Sequence, residues 1–208
     1  MSQVLAEPQV SQTYITLRLS PAIEITDDEF FAFCQLNRDL RFERTAEGDI
    51  IVMAPTGGET GNRNADITAQ LVTWTKRDGA GAAFDSSTGF KLPNGADRSP
   101  DGSWVRKSRL AALTHEQKIK FLPLCPDFVI ELLSPTDALA VTQAKMSEYI
   151  ENGAQLGWLI DPEMRQIHVY RSRQAVVVLK NVAEVAADPE LPGFVLDLRE
   201  IWEPECLG

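Results

Sequence analysis

An α/β (α+β) fold with a central mixed β-sheet flanked by helices, and with extra hairpin strands, is the architecture this sequence predicts. Three observations point to it. Candidate elements run as meander strands, then one strand–helix–strand unit, then more strands, the order of a mixed sheet with packed helices. The segment Phe128–Leu133, inside "CPDFVIELLSP", is apolar almost throughout, as a strand buried on both faces requires. Residues 59–76 place Ile67, Leu71 and Trp74 along one face at helical spacing. No internal repeat, low-complexity tract or linker splits the chain. Residues 1–20 are expected as a loose, partly extended arm, and residues 21–208 as a single domain.

Each element has a local reason. In "TDDEFFAFCQ", Thr26 and Glu29 stand at capping-box spacing, so a helix starts near Thr26. "LRFERT" and "DIIVMAP" flank "AEGD", which predicts a hairpin across Glu47-Gly48. "PTGGETG" breaks the chain before the helix of residues 59–76. "GAAFDSSTGFKLPNG" reads as short strands interrupted by Gly and Pro. "SPDGSWV" reads as a strand from about Asp101, and "LTHEQKIKFL" as a short helix or loop leading to Pro123. Pro135 ends the Phe128 strand, and a helix follows from about Ala138 to Asn152, stopped by Gly153. "LGWLIDP" and "RQIHVYR" form a hairpin around "DPEM", and "AVVVLKNV" and "FVLDL" read as closing strands.

Composition bounds the function. A chain of 208 residues, 44% hydrophobic, can bury a core without disulfides. Cys34, Cys125 and Cys206 are too widely spaced for a zinc knuckle and odd in number, so they read as reduced thiols of a cytoplasmic protein. The two histidines, His115 and His168, lie in no pattern that supports a Ser-His-Asp triad or a His-rich metal site. A net charge of −10 argues against a protein that binds nucleic acid through overall basicity. It leaves room for an enzyme that combines a local basic groove with an acidic metal site. The start "MSQVLAEPQV" has no apolar core of signal-peptide length, and no later run approaches membrane-spanning length. A soluble, cytoplasmic protein without a membrane partner is the expectation.

The carboxylates carry the chemistry. Strand side chains alternate between faces, so Asp127, Val129, Glu131 and Leu133 share one face and Phe128, Ile130 and Leu132 the other. A charge at Glu131 must be paired, metal-bound or solvated in a cleft; a structural ion pair is the plain alternative. Asp101 opens another strand-like segment. Two acids on neighbouring strands pointing at one cleft, with waters and phosphate oxygens, make an octahedral Mg²⁺ site suited to phosphodiester hydrolysis. Asp127 lies about 13 Å from Glu131 along the strand, too far to share an ion, and reads as a cap at the strand's start. Lys145 falls on one helical face with Val141 and Tyr149, either as a cation beside the attacking water or as a surface lysine lying over apolar neighbours. Glu59 opens the long helix, either as an accessory acid or as a complement to the helix N-terminus. A phosphate-loop reading of "PTGGETG" fails because no Gly-Lys-Ser/Thr follows. Arg98, Arg106, Lys107, Arg109, Lys118 and Lys120 form a basic island that reads as a backbone-binding groove or as a solvated loop.

Five stretches together, "APTGGETGNRNADI", "FDSSTGFKLPNGADRSPDGSWV", "CPDFVIELLSPTD", "AKMSEYIENGAQLGWLID" and "LPGFVLDLREIW", resemble the Uma-two family of endonucleases, within the PD-(D/E)XK restriction-endonuclease-like superfamily. The resemblance runs from about residue 20 to residue 203. It implies a restriction-endonuclease-like core, a divalent-metal nuclease site using Mg²⁺ or Mn²⁺, and a DNA partner. The first superfamily acid corresponds to Asp101 in "SPD", the second to Glu131, and the helix acid to Glu59. The superfamily lysine stands two residues after the second acid, where this chain has Leu133. The resemblance implies that Lys145 of the following helix supplies it. A Mg²⁺-dependent endodeoxyribonuclease is the expected function, acting as a homodimer where both strands of a duplex are cut. A catalytically inactive nucleic-acid- or protein-binding module on the same fold is the alternative, and a structural protein with buried ion pairs comes third.

Overall fold

The computed structural model describes residues 14–205; the first part of the predicted arm and Cys206 lie outside them. The arm's described end forms β1 (Tyr14–Leu17). Helix α1 (Asp27–Leu36) starts where the capping box places it: the Thr26 side chain accepts from the Glu29 N–H, and the Glu29 carboxylate accepts from the Thr26 N–H at 2.8 Å. β2 (Arg41–Arg44) and β3 (Ile50–Met53) form the expected hairpin. Gly48, at φ +93°, makes its turn, a conformation that favours glycine. Helix α2 (Gly58–Asp78) ends on Gly79 in the left-handed conformation.

β4 (Gly81–Asp85), β5 (Phe90–Lys91), β6 (Asp97–Arg98) and β7 (Gly102–Arg106) follow, then the short helices α3 (Lys107–Ala111) and α4 (His115–Lys118). The central unit is β8 (Phe128–Leu132), α5 (Leu139–Glu151) and β9 (Leu156–Asp161). β10 (Gln166–Arg171), β11 (Val177–Lys180), β12 (Glu184–Ala186), β13 (Val195–Asp197) and α6 (Arg199–Trp202) complete the order. Four elements exceed the sequence reading: the short helices α3 and α6 and the strands β6 and β12. β6 and β12 are too short to carry a pattern of their own and exist through pairing with β2, β5 and β13.

The strands form three sheets. The largest has the order β11-β10-β9-β8-β7-β4, with β8 and β9 parallel and every other pair antiparallel. The second runs β1-β3-β2-β6-β5, and β12-β13 is a separate ribbon. β11 is therefore an edge strand of the large sheet, while β13 closes the ribbon instead.

β8 sits inside the large sheet with every residue buried, and its two faces build two different cores. Phe128, Ile130 and Leu132 pack with Ile67, Leu71 and Trp74 of α2 and with Trp158 and Phe194. Val129 and Leu133 pack with Met146 and Tyr149 of α5 and with Leu159. The expected mixed sheet with a helix layer on either face follows from this split. A third cluster, Phe30, Phe42 and Ile50, joins α1 to the smaller sheet. Among the described residues no helix is long and apolar enough to cross a membrane.

Candidate active site

β7 and β8 pair antiparallel, with Gly102 opposite Ile130. The next position along this register sets Asp101 beside Glu131. Asp101 turns toward β8: its Oδ2 accepts the Leu132 N–H at 2.9 Å, and its Oδ1 accepts from Asn64 Nδ2 of α2 at 3.3 Å. Glu131 is 7% exposed. Its Oε1 accepts the Tyr149 hydroxyl at 2.9 Å and lies 2.8 Å from Lys145 Nζ. Lys145 and Tyr149 come from successive turns of α5, so the i, i+4 face of that helix is turned onto the acid.

A third acid joins them that sequence reasoning did not select. Glu43 of β2 is 2% exposed and lies 2.8 Å from Lys145 Nζ through Oε1. Its Oε1 also accepts the Ser99 N–H at 2.9 Å, and its Oε2 accepts from Arg98 Nη1 at 3.2 Å. Arg98 is held in turn by Glu148 of α5 at 2.6 Å. The only sequence signal was an acid alternating with Phe42 in "RFER", a pattern equally typical of an exposed hairpin.

The electrostatics follow from burial and neighbours. Burial pushes the Glu131 carboxyl up to about 7; the charges of Asp101 and Glu43 act in the same direction and Lys145 opposes them. Burial likewise raises the Asp101 carboxyl, against the Leu132 N–H and Lys145. Burial alone would lower the Lys145 ammonium, but Glu131 and Glu43 hold it above its ordinary value, so it stays charged. For Glu43 burial is again the largest influence, yet Lys145 and Arg98 together keep its carboxyl below the ordinary range.

These groups line a cleft of about 1000 Å³, whose walls include Arg41, Glu59, Asn64 and Ser134. All four acid and lysine candidates, Glu59, Asp101, Glu131 and Lys145, border it. Glu59 stands apart from the cluster. Its carboxylate is 56% exposed and pairs with Arg63 of its own helix at 2.7 Å. Asp127 lies at the opposite end of β8, where it accepts the Arg106 N–H at 2.9 Å and pairs with Arg109 at 3.2 Å. A shallower hollow of about 430 Å³ beside Trp74 and Phe194 has no acid in its wall.

The basic island does not form one groove. Arg98 is buried in the cluster, Arg106 and Arg109 serve Asp127, and Lys120 pairs with Asp28 at 2.9 Å. β7 carries Arg106 and Arg109 to the Asp127 end of β8, while the chain after the two short helices returns beside β5, where Leu122 bridges Phe90 and Lys120 is engaged by α1.

Among the described residues no three His, Cys, Asp or Glu side chains converge to hold an ion by themselves. Asp101 and Glu131 nevertheless fit a hard cation. Mg²⁺ is commonly bound by one or two carboxylates, with waters and substrate phosphates completing the shell. Within the cluster four carboxyl groups, Glu43, Asp101, Glu131 and Glu148, face three cations, Arg41, Arg98 and Lys145.

The family model described as "Uma2: Putative restriction endonuclease" matches residues 27–199. The chain belongs to the Uma2 family. A solved Anabaena variabilis structure, described as a putative nuclease belonging to DUF820, is similar to it at TM-score 0.69 and 21% identity, over 86% of this chain and 98% of that one. At that identity the likeness speaks for the fold. No curated protein matches. In this Uma2 chain Leu133, where the superfamily lysine would stand, is packed into the α5-side core, and the lysine beside Glu131 comes from α5.

Proposed function

We propose that this Uma2 chain is a divalent-metal-dependent endonuclease that hydrolyses DNA phosphodiester bonds. The observation that carries the reading is the meeting of Asp101, Glu131 and Lys145 in one cleft from β7, β8 and α5. Asp101 and Glu131 would hold Mg²⁺ or Mn²⁺, which supplies Lewis-acid polarisation of the phosphate. Lys145 keeps its proton and offers positive charge where the attacked phosphate gains negative charge. Tyr149 fixes the Glu131 carboxylate through its hydroxyl. Glu59 stays a rim residue, placed to act through Arg63 or on substrate entering the cleft. Cutting both strands of a duplex needs two such sites, so a homodimer is the assembly we propose for that reaction.

The test is cleavage of supercoiled plasmid with Mg²⁺ and Mn²⁺ by wild type and Glu131→Gln, with matched thermal unfolding curves. Wild type is expected to nick or linearise the plasmid, and the variant to lose at least 100-fold in rate while folding normally. Equal rates would reject the assignment of Glu131. A second reading, a non-catalytic nucleic-acid- or protein-binding module, is favoured by one observation: Lys145 is already paired with two carboxylates. That reading predicts no turnover with any divalent ion.

A further inference from the structure

Lys145 is held from two sides. Its Nζ lies 2.8 Å from Oε1 of Glu131 on β8 and 2.8 Å from Oε1 of Glu43 on β2. These strands belong to different sheets. An ammonium has three N–H donors, so two carboxylate contacts fix its position and leave one N–H for the cleft. The Nζ atom lies 5.9 Å from the centre of the Tyr149 ring.

Glu43 is itself held by further partners. Its Oε1 also takes the Ser99 N–H at 2.9 Å and its Oε2 takes Arg98 Nη1 at 3.2 Å. Arg98 donates to Glu148 at 2.6 Å, and Glu148 also accepts from Asn94 at 2.9 Å. Glu148 lies three residues beyond Lys145 on α5, so the contacts close into a ring running from Lys145 to Glu43, Arg98, Glu148 and back to the helix.

The need for such a ring follows from where the lysine comes from. A lysine at position 133 would share the strand face of Glu131 at i, i+2 and would be aligned by the strand itself. Lys145 instead reaches across from a helix on a long flexible stem with many rotamers. One partner leaves that stem free to swing about the contact; a second partner from another direction removes the swing.

We propose that Glu43 is a positioning residue of this site: it clamps the Lys145 ammonium over Glu131 so that the remaining N–H faces the scissile phosphate. The proposal deepens the nuclease reading and rests on it. It adds a residue from the smaller sheet to a site otherwise built on the large sheet and its helices.

The test is a double-mutant cycle in single-turnover cleavage of supercoiled plasmid with Mn²⁺, using wild type, Glu43→Gln, Lys145→Met and the double variant. Glu43→Gln is expected to slow cleavage at least 10-fold at saturating DNA and to leave the half-saturating DNA concentration within 2-fold. In the Lys145→Met background the same change is expected to cost less than 2-fold, because Glu43 acts through the ammonium. Equal costs in the two backgrounds, or no cost in either, overturn the proposal. Glu43→Asp keeps the charge, withdraws it by one methylene, and is expected to fall between wild type and Glu43→Gln. It replaces Glu43→Gln in the cycle should that variant not fold. Crystal structures give a readout independent of cleavage. Without the Glu43 carboxylate, the Lys145 stem is expected in a changed rotamer, or in more than one, about its Glu131 contact, and the single wild-type rotamer retained overturns the proposal. If wild type cleaves no DNA with any divalent ion tried, the nuclease reading falls, and the crystal comparison alone decides whether Glu43 positions Lys145.

Discussion

At Glu131, burial and ionisation pull in opposite directions. The carboxyl is pushed up to about 7, first by burial and then by Asp101 and Glu43, against the attraction of Lys145. In the unfolded chain the same group titrates near 4.5. Between these values the folded protein binds a proton that the unfolded chain has released, so this group's contribution to stability falls as pH rises through that window. Urea unfolding of metal-free wild type and Glu131→Gln from pH 5 to pH 8 is expected to show the stability difference moving against wild type up to about pH 7 and then levelling. A difference constant with pH would remove the raised carboxyl. Among single residues, Glu131 was legible because an acid in an apolar strand conflicts with its surroundings, and Asp101 because it opens the neighbouring strand. Glu43 was not legible. Its strand, "RFER", is mostly charged, and only the approach of α5 and β8 turns that hairpin acid into a buried one.

At the scale of elements, the placement of Lys145 depends on how closely α5 lies on the sheet. Gly157 of β9 makes that approach possible. A Cβ there would stand 2.5 Å from Met146 Cε and 3.3 Å from Val129 Cγ2. Met146 adjoins Lys145 in sequence and is fully buried. Gly157→Ala is expected to cost about 1–3 kcal/mol of stability from overpacking, measured by urea unfolding. It should also slow plasmid cleavage as the helix moves outward. Unchanged stability would show that the Met146 side chain yields without moving α5. Most elements announced themselves locally: the Thr26–Glu29 capping box, the Gly48 turn and the Gly153 stop all stand where the residues put them. β6 and β12 did not, since two or three residues hold no periodicity and become strands only when a partner lies alongside.

At the scale of the whole molecule, Arg98 ties the parts together. It is 9% exposed, lies on β6 of the smaller sheet, and joins Glu43 of that sheet to Glu148 of α5, the helix packed on the large one. Removing it leaves two acids with little exposure short of a cation. Arg98→Leu is expected to destabilise the protein by about 3–5 kcal/mol, read as a lowered urea midpoint with an unchanged slope. A loss below about 1 kcal/mol would mean that water reaches Glu43 and Glu148 and that the ring is not a structural tie. A second network, in which Arg44 contacts Asp97 and Asp27, links the smaller sheet to α1 in the same manner. Both networks place charge where the sequence pattern alone would put solvent. For this reason the basic island read from residues 98–120 dissolves into separate pairs.

By itself the sequence determined the mixed-sheet architecture and the order and approximate ends of the longer elements, features that rest on strand alternation, helical spacing, capping and turn geometry. It singled out Glu131 as an acid out of place in an apolar strand, with Asp101 and Lys145 as candidates beside it, and it was the resemblance to the Uma-two family that joined the three into one proposed site. Only the tertiary structure decided that Glu43 enters the site, that Glu59 stays at the rim with Arg63, and that Arg98 joins the two sheets. Each of these depends on the approach of segments far apart in the chain, and on a burial that no local pattern encodes: a carboxylate or guanidinium is kept from water only when a partner from another element reaches it.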